Sequence, residues 1–317
     1  MSADELSDAE RRVWARLPAG TDAALRGLSA TDLQTLLLSV ARIRASRVRP
    51  AELLRRWRSD RFVRPATSDP RALGAVEARM WRLLPARFEG VELSPVVPLG
   101  TSSAVGPVSQ NRIVTTMRST EVLSDSTNAL AIEAADRRLR QPATGEVHLA
   151  ASHRQLRAQR FGPGMAAHFR LLTLVSSARD TGSGRTQARL LALHLGYWQR
   201  VLATLPPSAT PRLRFTVFDN PVLAERITDT VLPALDAADR TAASAVPVVE
   251  EGDRERGRGY YADAALRITF WQGGEVVELG DGGFTTWTAQ LTGNAKERCL
   301  VSCLATERLA AHPTEHH

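Results

Sequence analysis

The sequence predicts an α+β fold, a mainly antiparallel sheet flanked by helices, with a small helical unit at its amino end. Three observations carry this expectation. From residue 69 onward, strand-like runs follow one another with few helical stretches between them, the order of an α+β domain. Residues 1–68 instead repeat apolar residues at helical spacing. Between the two patterns, Arg64-Pro-Ala-Thr-Ser-Asp-Pro70 has the composition of a linker. The expected division is a helical accessory region, 1–68, and a core, 69–317.

Each element has its own justification. Ser7-Asp-Ala-Glu10 is a capping box leading into Val13, Trp14 and Leu17. Ser29-Ala-Thr-Asp32 precedes Leu33, Leu36, Leu37, Val40 and Ile43, which share one helical face. Pro50 stands where a first helical turn tolerates it, ahead of Leu53, Leu54 and Trp57. Asp69-Pro70 opens a helix carrying Leu73, Val76, Met80 and Leu83, followed by a β-rich stretch, 91–98. Further strands are expected over 112–118, 153–159, 169–177, 213–219, 265–271, 275–279 and 298–303. Helices are expected over 127–139, 185–205, 220–235 and at the carboxyl end. In 185–205, Leu190, Leu191, His194, Leu195, Trp198 and Val201 form a core-facing stripe, so His194 reads as a packed histidine.

Composition narrows the classes. An apolar fraction of 43% over 317 residues is enough for a large core and excludes a disordered chain. No apolar run approaches the ~18–20 residues of a membrane span. The acidic start, Met1-Ser-Ala-Asp-Glu-Leu6, lacks a signal pattern, so a cytoplasmic protein without membrane attachment is expected. Cys299 and Cys303 are the only cysteines, too few for a disulfide framework, and read as two small core residues. The histidines are not spaced as a metal site, and no metal ligands are assigned. The formal charge is +7, and nine arginines fall between Arg42 and Arg64 against Glu52 and Asp60. That cluster suits phosphate backbones or an acidic protein partner, or else solvated helix faces. Phosphate-loop, dinucleotide-binding, zinc-protease and nucleophile-elbow motifs are all absent.

Several segments make sense together. Arg256-Gly-Arg-Gly-Tyr-Tyr261 is followed by Ala265–Phe270, then by Glu278-Leu-Gly-Asp-Gly-Gly283, and finally by Ser302-Cys-Leu-Ala-Thr-Glu-Arg-Leu309. Upstream stand Leu156-Arg-Ala-Gln-Arg-Phe-Gly-Pro-Gly164 with Phe169, and Asp125-Ser-Thr127. This order resembles the class II aminoacyl-tRNA synthetases, specifically histidyl-tRNA synthetase, over roughly residues 69–310. The segment from Arg157 to Phe169 is similar to the family's motif 2. The helix from Asp69 with the Pro95 strand is similar to motif 1, the dimerisation element, which implies a homodimer. The segment ending Glu307-Arg308-Leu309 is similar to the last strand and helix of the family.

The resemblance implies an adenylating site using ATP, with or without Mg2+. Arg157 would hold the α-phosphate and carboxylate, Arg308 the triphosphate tail and Arg256 the reacting region. Gln159 and Phe169 would meet the adenine, and Gly282 and Gly283 would let the backbone approach the nucleotide. Asp125 and Thr127 would receive the ammonium of an amino acid, and Tyr260 and Tyr261 would line its side-chain pocket. Guanidinium groups suit this chemistry because they pair with carboxylate and phosphate and stabilise developing charge. Other readings stand beside these. Each arginine can be a surface ion pair, Asp125 a helix cap, and the two tyrosines ordinary strand packing.

The departures from the family point away from histidine. Gln159 replaces the adenine-reading glutamate, Met165 a phosphate-clamping arginine, and Leu171 and Val175 the polar residues that hold the histidine side chain. Gly259 replaces the aspartate of the tyrosine motif, and Phe284-Thr-Thr-Trp287 a more polar segment. The resemblance covers the catalytic core without an anticodon-binding domain. The expected function is therefore ATP-dependent activation of another amino acid or small carboxylic acid. Transfer would go to a carrier protein, a small amine or a tRNA acceptor end, with the basic amino-terminal region as the dock. The alternative is a non-catalytic protein resembling the regulatory subunit of ATP phosphoribosyltransferase.

Overall fold

The computed structural model describes residues 6–140, 145–162, 166–206, 208–239, 246–252, 254–272 and 274–311. The chain divides into two compact units, Met1–Asp60 with Thr115–Thr120, and Arg61–Val114 with Glu121–His317.

The first unit holds α1 (Asp8–Trp14), α2 (Thr21–Arg26), α3 (Ala30–Ala45) and α4 (Pro50–Ser59). Ser7 and Glu10 form both halves of the capping box that starts α1. The Ser29 hydroxyl accepts from the Asp32 amide to start α3, and Pro50 occupies the first turn of α4. None of the four helices contains a buried residue.

The second unit begins with α5 (Pro70–Leu83), capped by Asp69, and continues through β1 (Glu89–Gly90) and β2 (Val96–Pro98). Next come α6 (Thr101–Ala104), β3 (Thr120–Val122) and α7 (Ser126–Arg140). The long hairpin of β4 (Glu146–Leu156) and β5 (His168–Arg179) leads to α8 (Arg185–Leu202) and β6 (Thr210–Val217). Then α9 (Pro221–Arg226) runs through a π-helical turn into α10 (Leu232–Asp239), followed by β7 (Val248–Glu250). The chain closes with β8 (Ala262–Gln272), β9 (Glu275–Thr285), α11 (Trp287–Thr292), β10 (Glu297–Ala305) and α12 (Thr306–Ala310).

Eight strands form one sheet in the order β1-β4-β5-β10-β9-β8-β6-β7. The six central strands pair antiparallel, and only the short edge strands β1 and β7 pair parallel. Both faces of the sheet are buried, and the two-residue period of a strand sorts side chains between them. In β10, Leu300 and Leu304 join the core with Leu190, Leu195 and Trp198 of α8. Cys299 and Val301 join a second core with Leu130 and Ala134 of α7.

Three expectations change, one being that the strand expected over 153–159 is β4, Glu146–Leu156, so that 157–159 lie beyond it. The strand expected over 112–118 is a 3-10 turn at Gln110–Arg112, with a tight turn between Thr116 and Thr120. The Thr116 and Thr120 hydroxyls bond each other at 2.6 Å, and Ser119 takes the left-handed backbone (φ 54°). Local hydroxyl bonding has displaced the extended form. The residues from 91 to 95 are irregular, and a strand exists there only from Val96.

His194 is fully buried, as its stripe predicts, within a polar chain. Its Nε2 meets Ser176 Oγ at 2.8 Å and its Nδ1 meets Ser302 Oγ at 2.8 Å. His148 Nδ1 reaches the same Ser176 hydroxyl at 2.8 Å, and Trp198 Nε1 donates to Ser302 Oγ at 2.8 Å. Burial holds His194 well below the ordinary histidine value.

Candidate active site

The start of α7 and the end of β4 bring together four residues singled out in the sequence. Asp125 Oδ1 accepts from the Thr127 amide at 3.0 Å and the Thr127 hydroxyl at 2.7 Å, a cap on the first turn of α7. Its other oxygen, Oδ2, lies 3.0 Å from Arg157 Nη2. Arg157 Nε donates to the Ser124 carbonyl at 2.9 Å, and its amide continues the β4–β5 pairing by donating to Ala167 O. The Arg157 guanidinium stands 5.1 Å above the Phe169 ring, a cation–π contact. Phe161 meets that ring edge-on at 6.1 Å. Phe284, by contrast, lies wholly in the core beneath the sheet. Gln155, fully buried in β4, accepts from the Ser126 amide through Oε1, while its Nε2 has no hydrogen-bond partner.

Gln159 stands apart from this group. Its carbonyl accepts from Arg61 Nη1 at 2.6 Å. Met165 and the adjoining Pro163-Gly164 lie outside the described residues, as do His312, His316 and His317.

The tyrosine pair is held by a tight turn before β8. Gly257 has φ +90°, and its carbonyl accepts from both the Tyr260 and Tyr261 amides, at 3.0 and 2.8 Å. Tyr260 packs edge-on against Tyr261 at 4.9 Å and against Trp287 at 6.0 Å. Tyr261 in turn covers Gly283, where a Cβ would fall 2.5 Å from Tyr261 Cγ. A Cβ on Gly282 would lie 2.3 Å from Val301 O in β10. The space that these glycines leave is therefore filled by the protein's own ring and neighbouring strand.

Arg256 and Arg308 converge on one residue of β9. Arg256 Nη1 lies 3.1 Å from Glu278 Oε1, and Arg308 Nη1 donates to the Glu278 carbonyl at 2.7 Å. Arg256 is exposed over 74% of its side chain, so this ion pair is screened by water. Glu278 also accepts from Arg267 Nε at 3.2 Å.

At the Arg256–Glu278 pair lies a cavity of about 240 Å³ lined by Glu251, Arg254, Glu255, Arg256, Arg267, Glu278 and Asp281. Arg254 is buried and fixed by the Arg256 and Leu266 carbonyls at 2.7 and 3.0 Å. Burial raises Asp281 above the ordinary carboxylate value; Arg254 opposes the rise, and Glu278 and Asp125 add to it. Burial likewise raises the Tyr260 and Tyr261 hydroxyls, with Asp125 and Asp281 reinforcing the effect. Cys303 donates towards Asp281 Oδ1 at 4.0 Å, and burial pushes its thiol well up, so it is not a ready nucleophile.

Sequence reasoning missed Arg254, Asp281, Glu278 and Trp287 as parts of this site. Asp281 and Glu278 sit inside the glycine-rich segment, where the glycines alone carry the motif. Arg254 precedes the tyrosine motif by two residues, and only its burial distinguishes it from the many exposed arginines. Trp287 begins a short helix, α11, where no apolar period is long enough to announce one.

No family model matches the chain, and no curated protein matches it. Solved structures do match. Apo histidyl-tRNA synthetase of S. aureus aligns with a TM-score of 0.55 at 13% identity, over 76% of this chain and 64% of that one. An ATP phosphoribosyltransferase regulatory subunit/histidyl-tRNA synthetase from Bacillus halodurans aligns at 0.54 and 11% identity, over 81% and 84%. A putative threonyl-tRNA synthetase from Aeropyrum pernix aligns at 0.55 and 11% identity, over 76% and 59%. The chain thus spans less than two thirds of the two synthetases and most of the regulatory-type protein. With its helix-flanked antiparallel sheet, this chain has the class II aminoacyl-tRNA synthetase-like fold.

Proposed function

We propose that the protein activates an amino acid or related carboxylic acid with ATP and passes the acyl group to an acceptor other than a conventionally read tRNA. The observation that supports this reading is that three guanidinium groups at the motif positions are held by exchangeable oxygens, two of them meeting at Glu278. Arg157 stands on Asp125, and Arg256 and Arg308 stand on Glu278. Each is engaged by an oxygen that an incoming carboxylate or phosphate can replace. For the exposed Arg256–Glu278 pair that exchange costs little, because such pairs contribute about 0–1 kcal/mol.

The residues fit a nucleotide in this sense. Arg157 and Phe169 would hold its α-phosphate and base end, Arg256 the reacting region and Arg308 the triphosphate tail, whose pyrophosphate leaves as the carboxylate oxygen bonds to the α-phosphorus. Gln159, Gly282 and Gly283 are left out of this reading, because Gln159 stands apart on Arg61 and the two glycines face Val301 and Tyr261. Asp125 and Thr127 would orient the amino acid, and Tyr260 and Tyr261 would wall off its side chain. Among the described residues no group of three His, Cys, Asp or Glu side chains could hold a metal ion. Mg2+ keeps most of its water and binds largely through phosphates, so it would accompany the nucleotide. A homodimer in the cytoplasm belongs to the same reading; among the described residues no helix is long and apolar enough to cross a membrane.

A specific observation favours a second, regulatory reading. Both Asp125 oxygens are engaged within the chain, and Arg157 covers one face of Phe169. A protein that only binds a small ligand has no need to release them. Amino-acid-dependent ATP–pyrophosphate exchange over a panel of acids separates the two. Exchange abolished by Arg157→Ala and by Arg256→Ala supports adenylation. Ligand binding by calorimetry with no exchange for any acid rejects adenylation and leaves the regulatory reading.

A further inference from the structure

The amino-terminal unit offers its apolar residues to solvent. In α3, Leu36, Val40 and Ile43 follow one another at i, i+4 and i+7, one helical face, with exposures of 42, 47 and 50%. In α4, Leu53, Leu54 and Trp57 are exposed by 60, 51 and 50%. Isolated helices of this length are marginal in water and take most of their stability from burying such a face. Yet no residue of α1–α4 is buried.

The charge around these faces selects the occupant. Seven of the nine clustered arginines belong to this unit, from Arg42 to Arg58, against Glu52 and Asp60. Glu52 is already paired with Arg56. A second copy presenting the same face would set arginine cluster against arginine cluster, and such like-charge juxtaposition disfavours self-association. Nucleic acid would satisfy the arginines but would leave the leucines wet. We infer that α3 and α4 dock an acidic protein whose docking helix carries a leucine-type stripe flanked by carboxylates. This deepens the partner side of the function proposed above. It is read by binding alone, so a failure of adenylation leaves it standing.

The test uses the full chain and fluorescence anisotropy. One labelled probe is an 18-residue amphipathic helix with a leucine stripe between glutamates. A second has the same composition with the leucines scattered, and a third is an unmodified tRNA. The striped peptide should bind about tenfold or more tighter than the scattered one, a tenfold change being about 1.4 kcal/mol. Its affinity should fall with salt, and it should drop about tenfold in Leu53→Ser/Trp57→Ser and separately in Arg55→Glu/Arg58→Glu. Circular dichroism of both variants should match the parent, since all four side chains are exposed. Equal binding of the two peptides would reduce the surface to charge attraction and overturn the inference. Tight tRNA binding without peptide binding would make it a nucleic-acid surface. Loss of self-association in Leu53→Ser/Trp57→Ser by sedimentation would assign the face to a second copy.

Discussion

One carboxylate, that of Asp125, both starts a helix through the Thr127 amide and holds the Arg157 guanidinium at 3.0 Å. Cap and ion pair use different oxygens of the same group, so they can be separated by substitution. Asp125→Asn keeps a capping oxygen and loses the charge. Asp125→Ala loses both. Asp125→Ala is expected to cost about 1–2 kcal/mol of stability and Asp125→Asn about half of that or less. Urea denaturation of the two variants checks this, and equal losses would mean that the pair, and not the cap, dominates.

Gly283→Ala should be among the most damaging single-methyl changes in the chain. The added Cβ would sit 2.5 Å from Tyr261 Cγ and 2.8 Å from the Ala264 carbonyl. The ring can move only by breaking its edge-on contact with Tyr260. Overpacking of this kind costs about 1–3 kcal/mol. A thermal-unfolding midpoint within a degree of the parent would contradict it. Gly74→Ala, whose added methyl meets nothing within 4 Å, is the control.

Stability should fall in mild acid, and the buried histidines set the sign. His194 and His148 have folded values held below 6.5, chiefly by burial. The unfolded chain therefore binds more protons once pH drops below about 6.5, and folding is progressively opposed. For His194 alone the loss approaches about 1.4 kcal/mol per pH unit below that point. The urea midpoint measured from pH 8 to pH 5 should decline, and His194→Gln should flatten the decline. A variant with the parent's slope would show that other groups carry the acid sensitivity.

Arg138 and Glu297 form a buried bidentate pair, at 3.0 and 2.8 Å, with 2% and 4% of their side chains exposed. It ties the last turn of α7 to the first residue of β10. Removing one partner leaves a buried charge, so Arg138→Met should cost about 3–5 kcal/mol. The double change Arg138→Met/Glu297→Leu should recover much of that loss. A double-mutant cycle by chemical denaturation measures the coupling.

The strands of the core were legible wherever β-rich runs were bounded by turn residues. The β5, β6, β8 and β10 segments all lie where the sequence places strands. The stripe of α8, with its buried His194, was equally legible from helical period alone. The turn at Thr116–Thr120 was not, because β-branched residues signal extended chain equally well whether their hydroxyls face a neighbour or each other. Of the site, the residues in motif order were visible one at a time. What joins them was not. Asp281 owes its raised value chiefly to burial, and its contact with Cys303 links positions 22 residues apart.

The glycines of β9 have a consequence for how this site can change. At Gly280, Gly282 and Gly283 any side chain would run into Cys303, Val301 or Tyr261. On either side of Asp281, which lines the cavity, β9 cannot take a side chain without disturbing β10 or Tyr261. Selection acting on what the cavity accepts must work through its movable parts: the turn that carries Arg254, Arg256 and the tyrosine pair, and the first turn of α7. A new ligand preference would thus arise in these connections and at Arg267, Glu278 and Asp281, while the glycine backbone between them stays unchanged.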